Sequence, residues 1–331
     1  MLKNAFIFLL LLNFTGVLPS YAKEFEELFA VKLNNKCGYI NKKGKLSIKI
    51  TFDRCWAFSE GFAGVEINNK LGFINTKGKF VIKPKFEWYP QYFKEGLVPV
   101  IFRGEDNLLH WGFANTKGKI HFIKGATFVD NFSEGLAVVQ YEGKKGYVDK
   151  TFKFVIEPKF KYASRFVNGV ASVCDQNDKR YYIDRFGRKV FEHTGVEFSD
   201  GVALVEIDGK NGFIDKNGKI IIPTKYPYYS VLSFYNGLAG INIDGKWGFI
   251  NKLGEIVISP QFDAIQSFSE DGVAAVKIGN KWGFINKKGK IIISAQFDDA
   301  LWFGKGIGRV EIGDKVGYIN QKGNYIWHPT K

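Results

Sequence analysis

In Val202-Ala-Leu-Val-Glu-Ile-Asp-Gly-Lys210, Ala203, Val205 and Ile207 alternate with Leu204 and Glu206 before the chain reaches Asp208-Gly209. A period of two running into a dipeptide that reaches positive φ easily predicts a strand entering a tight hairpin. Gly212-Phe-Ile-Asp215 is the returning strand and Asn217-Gly218 supplies a second turn. Lys219-Ile-Ile-Ile-Pro223 is a third strand, which a proline can close without forfeiting an interior donor. The unit is therefore a three-stranded antiparallel meander. Apolar neighbours such as Phe249-Ile250 and Ile291-Ile-Ile293 put apolar side chains on both faces of a strand, so both faces of each small sheet must be covered.

The meander recurs at about 35-residue intervals along the chain. Anchor glycines mark it at Gly38, Gly72, Gly112, Gly146, Gly212, Gly248, Gly283 and Gly317, and Tyr181 takes the slot in the fifth copy. A second glycine follows six residues later in each copy except the fourth, where Phe152 replaces it. Constant phase at this period means one supersecondary unit stacked many times. Between meanders, segments such as Gln261-Phe-Asp-Ala-Ile-Gln-Ser-Phe-Ser-Glu-Asp-Gly272 carry aromatics that pack over the seam to the next unit.

Stacked meanders form either a solenoid or a propeller. The first opens at Phe29 and the ninth closes at Pro329, leaving no surplus strand to complete a split blade. The expectation is all-β: tandem three-stranded meanders stacked as an open, curved or superhelical array, with a closed propeller-like ring as the alternative. The motif Lys-Trp-Gly-Phe-Ile-Asn-x-x-Gly, seen at 246–254 and 281–289 and in looser form at 110–118, resembles the bacterial WG (KWG) repeat family. Trp111, Trp247 and Trp282 are the namesake tryptophans; Cys37, Leu71, Lys145, Asn211 and Val316 replace them elsewhere. The resemblance covers the chain beyond its leader and implies a repeat scaffold, with no catalytic residues to carry over.

Residues 1–22 read as a secretory signal peptide: Lys3, an apolar run from Phe6 to Leu12, and a small-residue end at Ala22. Residues 23–331 form the single repeat array, expected to be secreted or periplasmic and to lie at the cell surface or in the envelope. The chain carries a net charge of +14, which favours anionic surfaces, although lysines in turns such as Asn41-Lys-Lys-Gly-Lys45 also serve simply to solvate them. Cys37 and Cys55 sit 18 residues apart and are either bridged or, with Cys174, small apolar fillers.

Chemistry is sparse. Asp53 with Glu60, Asp130 with Glu134, and Asp263 with Glu270 or Asp271 resemble carboxylate pairs, but a glycosidase needs one distinctive pair and these recur. They are read as turn-capping groups. His110, His121, His193 and His328 lack metal-site spacing, and no cofactor or metal is expected. Trp111, Trp247 and Trp282 are assigned to the strand seams, whereas Trp56, Trp88 and Trp302 in the linkers are the candidate ring-stacking residues. The expected function is a non-catalytic scaffold that binds an envelope polymer or exported protein through repeated faces, with nucleic acid an unfavoured partner. The alternative is a glycan-processing site in the fourth and fifth copies, where Asp175, Asp178, Lys179, Arg180, Asp184, Arg185 and Arg188 gather.

Overall fold

The computed structural model describes residues 26–87, 91–192, 197–227 and 229–330; residues 1–22 (expected to be a signal peptide), Trp88 and His193 lie outside them. The described residues form nine antiparallel sheets in chain order, here blades 1 to 9. Blade 1 consists of Leu28–Leu33, Lys36–Asn41 and Leu46–Phe52, and blade 9 of Asp299–Gly304, Ile307–Ile312, Lys315–Asn320 and Tyr325–Thr330. The three-stranded meander is the core of every blade, but five blades gain a fourth strand from the preceding linker, as where Arg54–Cys55 joins Phe62–Ile67.

The two glycines of each copy have separate physical causes. The first sits where the second and third strands fall out of register. In blade 7, Trp247 faces Phe262 and Phe249 faces Ile258, with an irregularity between them. A Cβ on Gly248 would lie 2.3 Å from the Ile258 carbonyl oxygen, and Gly38, Gly146, Gly212 and Gly283 meet the same obstacle. In blade 5 Tyr181 takes this position, opposite a third strand of Lys189–Phe191. The second glycine ends a turn nucleated by an Asn or Asp whose Oδ1 accepts from amides two and four residues ahead, as Asn286 does from Lys288 and Lys290. All nine copies make this turn, from Asn41 to Asn320.

That turn also reveals the ring. Gly78 lies against Ile48 of the preceding blade, Gly254 against Ile222, Gly289 against Ile258 and Gly323 against Ile293. In the fourth copy Phe152 keeps the contact by stacking on His121 of blade 3, with centroids 4.1 Å apart. Gly44 of blade 1 makes the equivalent contact with Ile326, in blade 9. Phe29, Val31 and Ile40 share a buried cluster with Ile307 and Tyr318, and the Tyr318 hydroxyl donates to the Ala30 carbonyl at 2.6 Å.

The chain is thus a closed nine-bladed β-propeller, and the expected open array is corrected. The absence of a surplus strand argued against closure only if closure required a shared blade. Here the two complete terminal sheets pack face to face, as every other neighbouring pair does, so the same side-chain burial that joins the blades also closes the ring. Cys37 and Cys55 form a disulfide from the second strand of blade 1 to the first of blade 2, while Cys174 is free and buried. A covalent loop of that size contributes about 3 kcal/mol in the chain-entropy account, fastening the terminal blade on its other side.

Candidate binding rim

Each linker contains a Phe that is the clasp between blades. Phe93 packs on Phe73 at 5.4 Å, Phe166 on Tyr147 at 4.8 Å, Phe234 on Phe213 at 4.7 Å and Phe303 on Phe284 at 5.3 Å. Two second-strand tyrosines also bond the linker backbone through their hydroxyls, Tyr39 to the Trp56 carbonyl and Tyr147 to that of Ser164.

After the Phe comes a two-residue turn whose first member has positive φ, for example Glu60 at 51° and Glu134 at 54°. That conformation is uncommon for glutamate, and the carboxylate gives a reason for it. Glu60 accepts from the amides of Glu95 and Gly96, Glu134 from Gly169, Asp200 from Gly237 and Asp271 from Gly306, each in the next copy. Ser59, Ser133 and Ser199 donate to the carbonyls of Phe93, Phe166 and Phe234 alongside. These links form a belt around one end of the blades. Burial pulls the Glu95 pKa up, but Lys150 and the Gly135 and Glu134 amides outweigh it and hold the carboxyl below its usual range.

Two of the carboxylate pairs in sequence, Asp53 with Glu60 and Asp263 with Glu270 or Asp271, are therefore split between opposite ends of the blade, while Asp130 pairs with Arg165. Glu60 belongs to the belt, whereas Asp53 accepts from Lys36 and from the Asn68 amide at the hairpin end. Asp263 with Lys246 and Gly279, and Asp298 with Lys281 and Gly313, repeat the arrangement, and the lysine and amide contacts lower all three pKa values. A general acid needs the opposite shift. Asp175 and Asp184 in the degenerate copies cap their own turns, and Arg188 bonds back to Asp184. Among the described residues no group of His, Cys, Asp or Glu is arranged to hold a metal.

The residue just before the clasp Phe is the one that changes freely: Ala57, Tyr92, Asn131, Arg165, Glu197, Ser233, Ser267 and Trp302. The Arg165 guanidinium bonds the Tyr92 hydroxyl at 3.2 Å, although the two stand two copies apart. Asn131 donates to Gln91, the neighbour of Tyr92 in the preceding copy, and Arg165 also pairs with Asp130 at 3.7 Å. In a ring, side chains two blades apart meet only where the blades converge on the axis, so this slot faces inward.

The tryptophans divide accordingly. Trp111, Trp247 and Trp282 are half-buried against the cores, and Trp247 and Trp282 lie opposite Phe262 and Phe297 across the strand seam. Trp56 is half-buried, packed in the core between blades 2 and 3. Trp302 is 40% exposed in the inward slot. Tyr92, Arg165 and Lys305 escaped the sequence reading, and Glu270 entered it only as a turn-capping carboxylate. Their signal was departure from the repeat at slots already in phase, which becomes meaningful only once the slots are known to share an axis.

The sequence profile of WG-containing repeats matches residues 38–70, 72–104, 127–144, 146–179, 212–247, 247–282 and 282–315, together more than half the chain. No curated protein sequence matches. Among solved structures, a eukaryotic initiation factor aligns over 93% of this chain and 96% of its own, at a TM-score of 0.62 and 11% identity. BamB from Moraxella catarrhalis aligns over 80% of this chain and 92% of its own, at 0.44 and 12%. At such identity the first of these speaks for the fold alone. No described helix is long and apolar enough to cross a membrane.

Proposed function

Because the chain belongs to the family of WG-containing repeat proteins, we propose that it is an exported, non-catalytic ring scaffold whose belt-side rim holds an exported protein or an envelope polymer. The observation that carries this reading is the division of labour within the repeat. Turn Asn, anchor Gly and clasp Phe recur with the same partners from blade to blade, whereas the inward slot carries a different side chain in almost every copy. Framework positions answer to packing; within the varied slot, Tyr92, Arg165 and Trp302 are of the residue types enriched at recognition surfaces. The leader-like segment at 1–22 supports export, and the basic charge supports a partner with anionic character. Nucleic acid fits less well, since the lysines are dispersed in turns with no recognition helix.

A photocrosslinking residue placed at Tyr92, in the inward slot, or at the exposed Tyr235, which follows the clasp Phe234, is expected to capture the same partner from an envelope extract at physiological salt. The same residue at Asp244, in a hairpin at the opposite end of blade 7, is expected to capture none. Capture from Asp244 alone, or capture that disappears once salt screens the charge, contradicts a rim-directed scaffold.

A further inference from the structure

The belt position is Asn in two copies, Asn168 and Asn236, but at one place its charge is reversed. Between blades 9 and 1 the acidic belt residue is replaced by Lys305, and Glu26-Glu27 stand where blade 2 has Glu60-Gly61. The hydrogen bond from amide to carboxylate is thereby exchanged for an ion pair, Lys305 to Glu27 at 3.0 Å. One step earlier, the turn of blade 8 carries an extra residue, Glu270, between Ser269 and Asp271. The Ser269 Oγ is buried with no hydrogen-bond partner, although Ser59, Ser133 and Ser199 all donate to the next clasp Phe.

These departures line one cavity of about 910 Å³, walled by linkers of blades 8, 9, 2 and 3 and by the first strand of blade 1. Its aromatic surface is Trp302, Phe29, Phe58 and Tyr318. Trp302 stacks on the buried Phe29 with centroids 6.2 Å apart, which fixes the indole while leaving the ring 40% exposed. Glu26, Glu27, Glu60 and Glu270 contribute carboxylates against Lys94 and Lys305. Glu27 is neutralised by Lys42 and Lys305, and Glu60 by the next blade's amides. Glu26 and Glu270 form no ion pair among the described residues. An acidic, aromatic pocket in a chain of net charge +14 runs against the molecule's overall field.

We infer that the cavity between the first and last blades is a binding site for an organic ammonium group with an apolar body, seated on Trp302 and facing Glu270 and Glu26. An exposed indole face attracts such a cation through its quadrupole, the carboxylates add Coulombic attraction at the rim, and the unpartnered Ser269 hydroxyl accepts an N–H or O–H donor of the guest. The volume suits a small molecule or one basic side chain of a larger partner. The site stands independently of the scaffold reading, because a free cation occupies it whether or not the rim also holds a macromolecule.

The test is a titration of the full chain with choline and with its neutral isostere 3,3-dimethylbutan-1-ol, followed by the tryptophan indole N–H resonances. Choline is expected to bind at least about 5-fold more tightly than the alcohol and to move the Trp302 resonance first. Trp302→Ala and Glu270→Gln are each expected to weaken choline with the far-ultraviolet dichroism unchanged; Trp302→Phe, which keeps a ring, retains part of the affinity and covers the case of a misfolded alanine variant. A lysine-containing peptide that competes with choline identifies a basic side chain as a guest, and free choline binding without such competition identifies a small-molecule site; both uphold the proposal. Equal binding of the isostere, preference for a neutral sugar, no binding at low salt, or full affinity in both Trp302 variants overturns it.

Discussion

Valine at Gly248 is expected to destabilise the protein by about 3–5 kcal/mol, among the largest effects a single substitution has. The added Cβ would lie 2.3 Å from the Ile258 carbonyl oxygen and 2.7 Å from the Pro260 nitrogen, both backbone atoms, so no rotamer relieves the clash. The second and third strands of blade 7 must separate, with loss of ladder hydrogen bonds and of the turn that packs on blade 6. Gly245→Ala is the control: its φ of +80° carries strain, but nothing lies within 4 Å of the new Cβ, and it should cost only about 1 kcal/mol. Urea midpoints of the two variants and the parent decide the matter. If the valine variant lies no further from the parent than the alanine control, backbone crowding is not what selects glycine.

Phe234→Ala is expected to cost about 3–5 kcal/mol, the usual range for emptying a buried Phe site. Phe234 is fully buried, its ring edge meets Phe213 of the preceding blade, and its carbonyl accepts from Ser199. Ser199→Ala removes only the hydrogen bond and is expected to cost about 1 kcal/mol. Thermal unfolding of both variants measures the difference. The order reverses if the belt, and not the aromatic clasp, is the main adhesive between blades.

The meander, its turns and its period were legible because each is local. Alternation sets the strands, Asp-Gly and Asn-x-x-Gly set the turns, and the linker Phe advertises a seam. The anchor glycines were visible as a pattern, while their cause, a carbonyl of the adjacent strand where the pairing slips, is a tertiary fact. Closure was not legible by the criterion of a spare strand, since it rests on packing between residues nearly 300 positions apart, such as Tyr318 and Ala30. One sequence signal did mark it: Lys305 stands where the other copies carry Glu60, Glu95, Glu134, Asn168, Asp200, Asn236 and Asp271, and Glu26-Glu27 replace the receiving Glu-Gly turn. Charge reversal at a single copy is meaningful only when the next copy is known to be the first.

The candidate rim was legible in part for the same reason. Trp302 stood out as a linker aromatic, and the structure leaves its ring accessible, while Trp56 sat at a similar point in its linker yet turned into the core between blades. The two differ by one residue in their distance from the clasp Phe. In a short connecting strand such a shift turns a side chain to the other face.

The central claim, that nine blades close on themselves, is tested most directly by small-angle scattering on the protein from Lys23 onward. A closed ring predicts a radius of gyration close to the roughly 19 Å expected for a compact domain of this length, with a distance distribution that ends abruptly at the ring's diameter. A clearly larger radius, with a distribution tailing to long distances, would mean that blades 1 and 9 stand apart in solution, and would contradict the ring.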